Sequence, residues 1–155
     1  MNELHPLLAL LAQTEKERDL ALVHSQRLAE TQRAAQAQTE QLLNYRGDYE
    51  KRWGEQFGRE GRIELLRCYQ GFVERLSLAL EQQTRIAHDA AQQAERAATA
   101  LREYEIRVAS VRKLIERRVT EVQRKLNLRE QKQSDEFASR AARQRLSNFG
   151  SLSAR

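Results

Sequence analysis

Residues 66–115 read LRCYQGFVERLSLALEQQTRIAHDAAQQAERAATALREYEIRVASVRKLI, and their spacing decides the fold. With Leu66 at heptad position a, the a and d residues are Leu66, Tyr69, Val73, Leu76, Leu80, Gln83, Ala87, Ala90, Ala94, Ala97, Leu101, Tyr104, Val108, Val111 and Ile115. Only Gln83 interrupts this apolar and aromatic seam. A repeat sustained over about seven heptads predicts a coiled-coil helix. Its middle, Ala87 to Ala97, is built of small residues. They bury little apolar area, so either the helices approach closely there or that section is loose.

Upstream, a weaker stripe recurs at sevens: Leu7, Thr14, Ala21, Leu28, Ala35, Leu42 and Tyr49. The other seam positions of this first helix are mostly polar. Between the two patterns lie Gly47, Gly54, Gly58 and Gly61. Each Gly costs a helix up to about 1 kcal/mol relative to Ala, which makes this the weakest helical stretch. Gly58-Arg-Glu-Gly61 is the expected reversal, and Pro6 suits a first helical turn, where its missing N–H is not needed. The expected organisation is one domain over 1–155, with helix 1 about 4–57, a bend about 58–61 and helix 2 about 62–148. A short connection favours antiparallel neighbours. The fold class is therefore all-α, a long antiparallel two-helix coiled-coil hairpin. Facing residues should have numbers that add to about 119, a value set by a bend centred on Arg59 and Glu60. Leu4 then meets Ile115, and the next seam positions of helix 2 are Arg118, Val122 and Lys125. The apolar seam fails where the partner runs out, leaving an unpaired basic C-terminal helical extension.

Composition agrees with long helices. The 155 residues are 40% hydrophobic and 32% charged, rich in Leu, Ala and Gln, with a single Pro. Sandwiches and barrels need many short strands with turn punctuation, and doubly wound folds need β-branched apolar runs; neither is present. No stretch approaches the ~20 apolar residues that span a bilayer. The start, Pro6 to Ala12, has Glu3 before it and Glu15-Lys-Glu-Arg-Asp19 after it, so it reads as an amphipathic helix rather than a signal peptide. Cys68 is alone, which fits a reducing compartment and a cytoplasmic protein. Net charge is +5, unevenly placed: 15 Lys+Arg face 17 Asp+Glu up to Val111, whereas 12 face 5 from Arg112 onward. The excess positive charge lies in the last third and addresses some acidic surface.

Little in the chain suggests catalysis. His5, His24 and His88 have no metal-ligand partners at helical spacing, no Gly-rich phosphate loop occurs, and a two-helix hairpin can hardly enclose a pocket. No metal, cofactor or enzymatic activity is expected. Two surface features do stand out. Beside the helix 2 seam, the g positions are Leu65, Phe72, Ala79 and Ile86, and Tyr45 holds the g position of helix 1 beside Leu42 and Tyr49. Facing g flanks bring Tyr45 and Tyr49 within reach of Phe72 and Leu76, with Gln38 and Gln83 at one end of the strip. This strip is either a locally broad core or an exposed docking patch. Trp53 and Phe57 read as packing at the tip. The second feature is the basic end, including Arg117, Arg118, Arg124, Lys125 and Arg129. It is either a solvated charge run or a partner surface. Against nucleic acid, no aromatics interleave with these residues until Phe137, and Glu116, Glu121 and Glu130 interrupt the field.

Several local motifs, in order along the chain, resemble the FliJ family, small coiled-coil components of the bacterial flagellar type III protein export apparatus. They are Leu8-Ala-Leu-Leu-Ala with Glu15-Lys-Glu-Arg-Asp-Leu-Ala21, then Leu42 with Tyr45-x-x-x-Tyr49, then Tyr69-Gln-Gly-Phe72 followed by Leu76 and Ala79, and finally Ser134-Asp-Glu-Phe-Ala-Ser-Arg-Ala-Ala142. The four-Gly bend and the tail after Ala142 have no matched counterpart. The resemblance implies a protein without enzymatic activity at the cytoplasmic face of the inner membrane. Its implied partners are the hexameric export ATPase, entered as a stalk enters a rotary ring, the export gate protein FlhA, and export chaperones. Carried over, the gate side is Leu42, Tyr45, Tyr49, Phe72, Leu76 and Ala79. The ATPase side is the terminal end with Arg117, Arg118, Arg124, Lys125 and Arg129. A polymerising coiled-coil scaffold and a basic hairpin that binds nucleic acid are the competing readings.

Overall fold

The computed structural model describes residues 3–154. Two α-helices account for nearly all of them, α1 over His5–Arg59 and α2 over Ile63–Leu152. No strand occurs among the described residues. Pro6 sits in the first turn of α1. The reversal is Glu60 to Arg62, beginning two residues and ending one residue later than the glycines suggest. Glu60 N–H still bonds Gln56 O at 2.9 Å, and Leu66 N–H bonds Arg62 O at 3.2 Å, so helical hydrogen bonding continues to the edges of the break. Gly47, Gly54 and Gly58 remain helical, and Gly61 falls in the break. Gly61 has no positive φ, so its place in the turn is not one that only glycine can take.

The chain forms two contact units. The first is Thr14–Arg107, the two arms on either side of the reversal. Here the heptads are realised: Val73, Leu76, Leu80, Gln83, Ala87, Ala90, Ala94, Ala97, Leu101 and Tyr104 are buried or half-buried, and so are Thr14, Ala21, Leu28, Ala35, Leu42 and Tyr49 on the facing arm. Pairs across the seam follow the antiparallel register. Gln83 meets Ala35 and Gln38, and Tyr49 meets Tyr69 and Phe72. The alanine stretch resolves in favour of close approach. Ala90, Ala94 and Ala97 are only 7–8% exposed, which side chains this short reach only against a near backbone. The register sets them opposite Ala21, Ser25 and Leu28, mostly small residues as well.

Leu66 departs from the seam. It is 42% exposed, while Leu65 beside it is half-buried. Near the reversal the buried face of α2 turns toward the g side, where Leu65, Phe72 and Tyr45 lie.

The second unit comprises residues up to Gln13 and from Val108 onward. Val108 is 2% exposed, Leu4, Leu7, Leu11, Val111 and Ile115 are half-buried, and Arg118 Nη1 lies 3.8 Å from Glu3 Oε2. After Val122 every described residue is exposed except Ala141, so the extension of α2 has no partner helix among the described residues.

Candidate functional site

The strip predicted beside the seam is a cluster of six aromatic rings. Tyr45, Tyr49, Trp53 and Phe57 recur at every fourth residue and so stack along one face of α1. Tyr69 and Phe72 face them from α2. Tyr49 is the hub: its ring centroid lies 4.1 Å from Phe72, 5.7 Å from Trp53, 6.0 Å from Tyr69 and 6.3 Å from Tyr45. Tyr45 also meets Phe72 edge-on at 6.3 Å. Trp53, Phe57 and Tyr69 close a triangle at 5.4–5.7 Å. The tip packing and the strip beside the seam, distinct in the sequence reading, are therefore one continuous cluster. The four-residue aromatic spacing was the signal that joins them.

Exposure grades along this cluster. Tyr45 is 52% exposed, and Tyr49, Trp53, Phe57, Tyr69, Phe72 and Leu42 are half-buried. Leu76 is 9% exposed and lies in the seam, where it supports the strip and presents little surface. Ala79 is exposed. Leu42 and Tyr45 line a shallow concavity with Gln38, Gln41 and Gln83. Its floor is a polar node. Gln83 Nε2 donates to Ala35 O and to Gln38 Oε1, both at 3.1 Å, and Thr39 Oγ1 donates to the same Ala35 carbonyl at 3.0 Å. The seam defect at Gln83 is thus satisfied by its part-buried bond to the Ala35 carbonyl of the facing helix, and a polar contact of this kind at a seam position fixes register. The surface offers ring edges, phenolic hydroxyls and side-chain amides beside the half-buried Leu42, Tyr49 and Phe72. That chemistry suits a protein surface with apolar anchors and a few hydrogen-bond partners. Among the described residues, no three His, Cys, Asp or Glu side chains gather to hold a metal ion.

The basic residues of the extension form a second surface. Arg117, Arg118, Arg124, Lys125 and Arg129 are all exposed. At about 100° per residue they span an arc of about 140° on α2. Glu121 falls within the same arc and lies 3.9 Å from Arg118. Arg118, contacting both Glu3 and Glu121 with a side chain 49% exposed, is the only one of the five in a salt bridge among the described residues. Such exposed pairs are worth about 0–1 kcal/mol, so the stripe remains available to an acidic partner. No helix is long and apolar enough to cross a membrane among the described residues.

A family model described as "Flagellar FliJ protein" matches residues 1–147. No curated protein and no solved structure matches the chain.

Proposed function

The chain belongs to the FliJ family and is a component of the flagellar export apparatus, and within that apparatus we propose that it is a non-enzymatic coupling protein with two docking surfaces. One surface, formed by Leu42, Tyr45, Tyr49, Phe72 and Ala79 over Leu76, docks on the export gate protein FlhA. The other, the basic stripe of Arg117, Arg118, Arg124, Lys125 and Arg129, docks on acidic surface of the export ATPase hexamer. Export chaperones bind in turn as they are emptied and recycled. The protein works at the cytoplasmic face of the inner membrane, held there by its partners.

The observation that carries this reading is the cluster around Tyr45. A two-helix seam needs two rows of side chains, yet here six rings and Leu42 widen it, and the outermost ring is half exposed beside a concavity. Exposed aromatic anchors on a rigid helical base are the composition of binding hot spots. The test is a binding measurement with purified gate domain and with purified ATPase. Tyr45→Ala is expected to weaken gate binding at least about tenfold and to leave ATPase binding unchanged. Joint reversal at Arg124 and Lys125 to Glu is expected to do the opposite. Loss of both interactions in either variant would refute the separation of the two surfaces. Assembly of the wild-type chain into filaments as concentration rises would instead favour the scaffold reading.

A further inference from the structure

Beyond the basic stripe, and meeting it at Leu128, the end of α2 carries a further exposed face. Leu128 is 57% exposed, Phe149 74% and Leu152 75%. These residues fall on one stripe at alternating spacings of three and four, and Ala138 and Ala142 lie on it between them. The stripe is a coiled-coil seam in heptad terms, with Leu128, Ala142 and Phe149 at a and Ala138 and Leu152 at d. Two charged residues interrupt it, Asp135 at a and Arg145 at d, and Gln131 holds the remaining d position. Asp135 and Arg145 are exposed and make no ion pair among the described residues.

The positions of these interruptions specify an occupant. We propose that a second copy of this chain covers the face, with residues 128–152 of the two copies antiparallel about a two-fold axis near Arg140. In an antiparallel pair, a positions of one helix face d positions of the other. About that axis every a residue falls opposite a d residue. Leu128 meets the second copy's Leu152, and Gln131 meets Phe149. Ala138 meets Ala142 at the centre, where small side chains let the backbones approach. Asp135 of each copy meets Arg145 of the other, and the symmetry makes this pair twice. Charges that look like defects in a single helix thus become two opposite-charge layers. A parallel pair would set Asp135 against Asp135 and Arg145 against Arg145, so the same residues exclude that orientation. A lipid surface explains the face less well. Arg145 lies within the apolar arc, between Leu152 and Ala138, where a flat bilayer interface offers no counter-charge.

The experiment is sedimentation equilibrium of the full chain from about 1 μM to about 1 mM. The expected result is a rise in mass from one copy toward two. Asp135→Arg alone and Arg145→Asp alone each create two like-charge layers, and each is expected to weaken self-association at least about tenfold. Asp135→Arg combined with Arg145→Asp restores opposite pairing and is expected to recover the wild-type constant to within about threefold. Far-UV circular dichroism of all variants checks that the single chain stays helical. A wild-type chain that stays a single copy throughout the range overturns the proposal. So does a single variant that associates as tightly as wild type, or a double variant that stays as weak as the singles. Binding to anionic vesicles by a chain that remains a single copy, abolished by Phe149→Ala, would assign the face to lipid and also overturn it.

Discussion

Truncating Tyr49 and truncating Tyr45 should have very different consequences, although both are tyrosines four residues apart on one helix face. Tyr49 is half-buried and contacts four other rings at 4.1–6.3 Å. Aromatic pairs contribute about 0.5–1.5 kcal/mol each beyond area burial, with the closest pair at the upper end. Full truncation of a buried aromatic costs about 3–5 kcal/mol, and partial exposure moves Tyr49 toward the lower value, about 3 kcal/mol. Tyr45 contacts two rings, both at 6.3 Å, and is 52% exposed. Its truncation should cost about 1 kcal/mol or less. In the folding constant these values are about 150-fold against about fivefold. Denaturant titration followed by far-UV circular dichroism measures both. Trp53 supplies a local readout, because its ring lies 5.7 Å from Tyr49 and has no ring contact with Tyr45. Tyr49→Ala should therefore shift Trp53 emission to longer wavelength, and Tyr45→Ala should leave it unchanged. Equal stability losses in the two variants would refute the hub arrangement and make Tyr45 an ordinary core residue rather than a docking anchor.

Gln83→Ala removes the donor to both Ala35 O and Gln38 Oε1 and should cost about 1–2 kcal/mol. In a double-mutant cycle with Gln38→Ala, a coupling energy indistinguishable from zero would show that the node contributes nothing. Gly54→Ala and Gly58→Ala should each stabilise the fold by roughly 0.5–1 kcal/mol, since both glycines are helical, lack positive φ, and have open space where a Cβ would lie. A fall in melting temperature for either would mean that α1 ends before the observed boundary. Ending the chain after Thr120 removes eight Lys+Arg and four Asp+Glu, together with a segment exposed almost throughout, and should leave thermal stability within about 1 kcal/mol of the full chain. Unfolding of that shortened chain at ambient temperature would show that the extension packs back on the helices.

The heptad pattern made most of the fold legible because burial in a two-helix hairpin is decided by one period. Every residue of the seven-residue stripe from Leu7 to Tyr49 is buried or half-buried, including the polar Thr14. The position of the reversal was less legible. Glycine is penalised in a helix by only about 1 kcal/mol, and the packing of Trp53 and Phe57 on Tyr69 is enough to hold α1 helical through Gly58. The exposure of Leu66 was hidden for a related reason. A heptad assigns burial by angle alone, whereas bulky rings at Tyr45 and Phe72 pull the contact face to one side. The strip itself was legible as facing g positions. Its extension to Trp53 and Phe57 needed the ring distances. The polar bridge at Gln83 could be placed from register, since Gln38 and Gln83 fall opposite one another, but which acceptors it reaches could not.

The alanine stretch of α2 has a mechanical consequence. The bending stiffness of two joined parallel beams grows with the square of the distance between their axes. Helix axes lie about 8–10 Å apart depending on the side chains between them, and small residues place this section at the low end. Moving from the upper to the lower spacing reduces stiffness in the plane of the two axes by roughly 30%. The section at Ala90, Ala94 and Ala97 is thereby more compliant than the section next to the reversal, where bulky rings around Tyr49 hold the helices apart. A load in the plane of the two axes bends this unit more at the alanines than at the aromatic cluster.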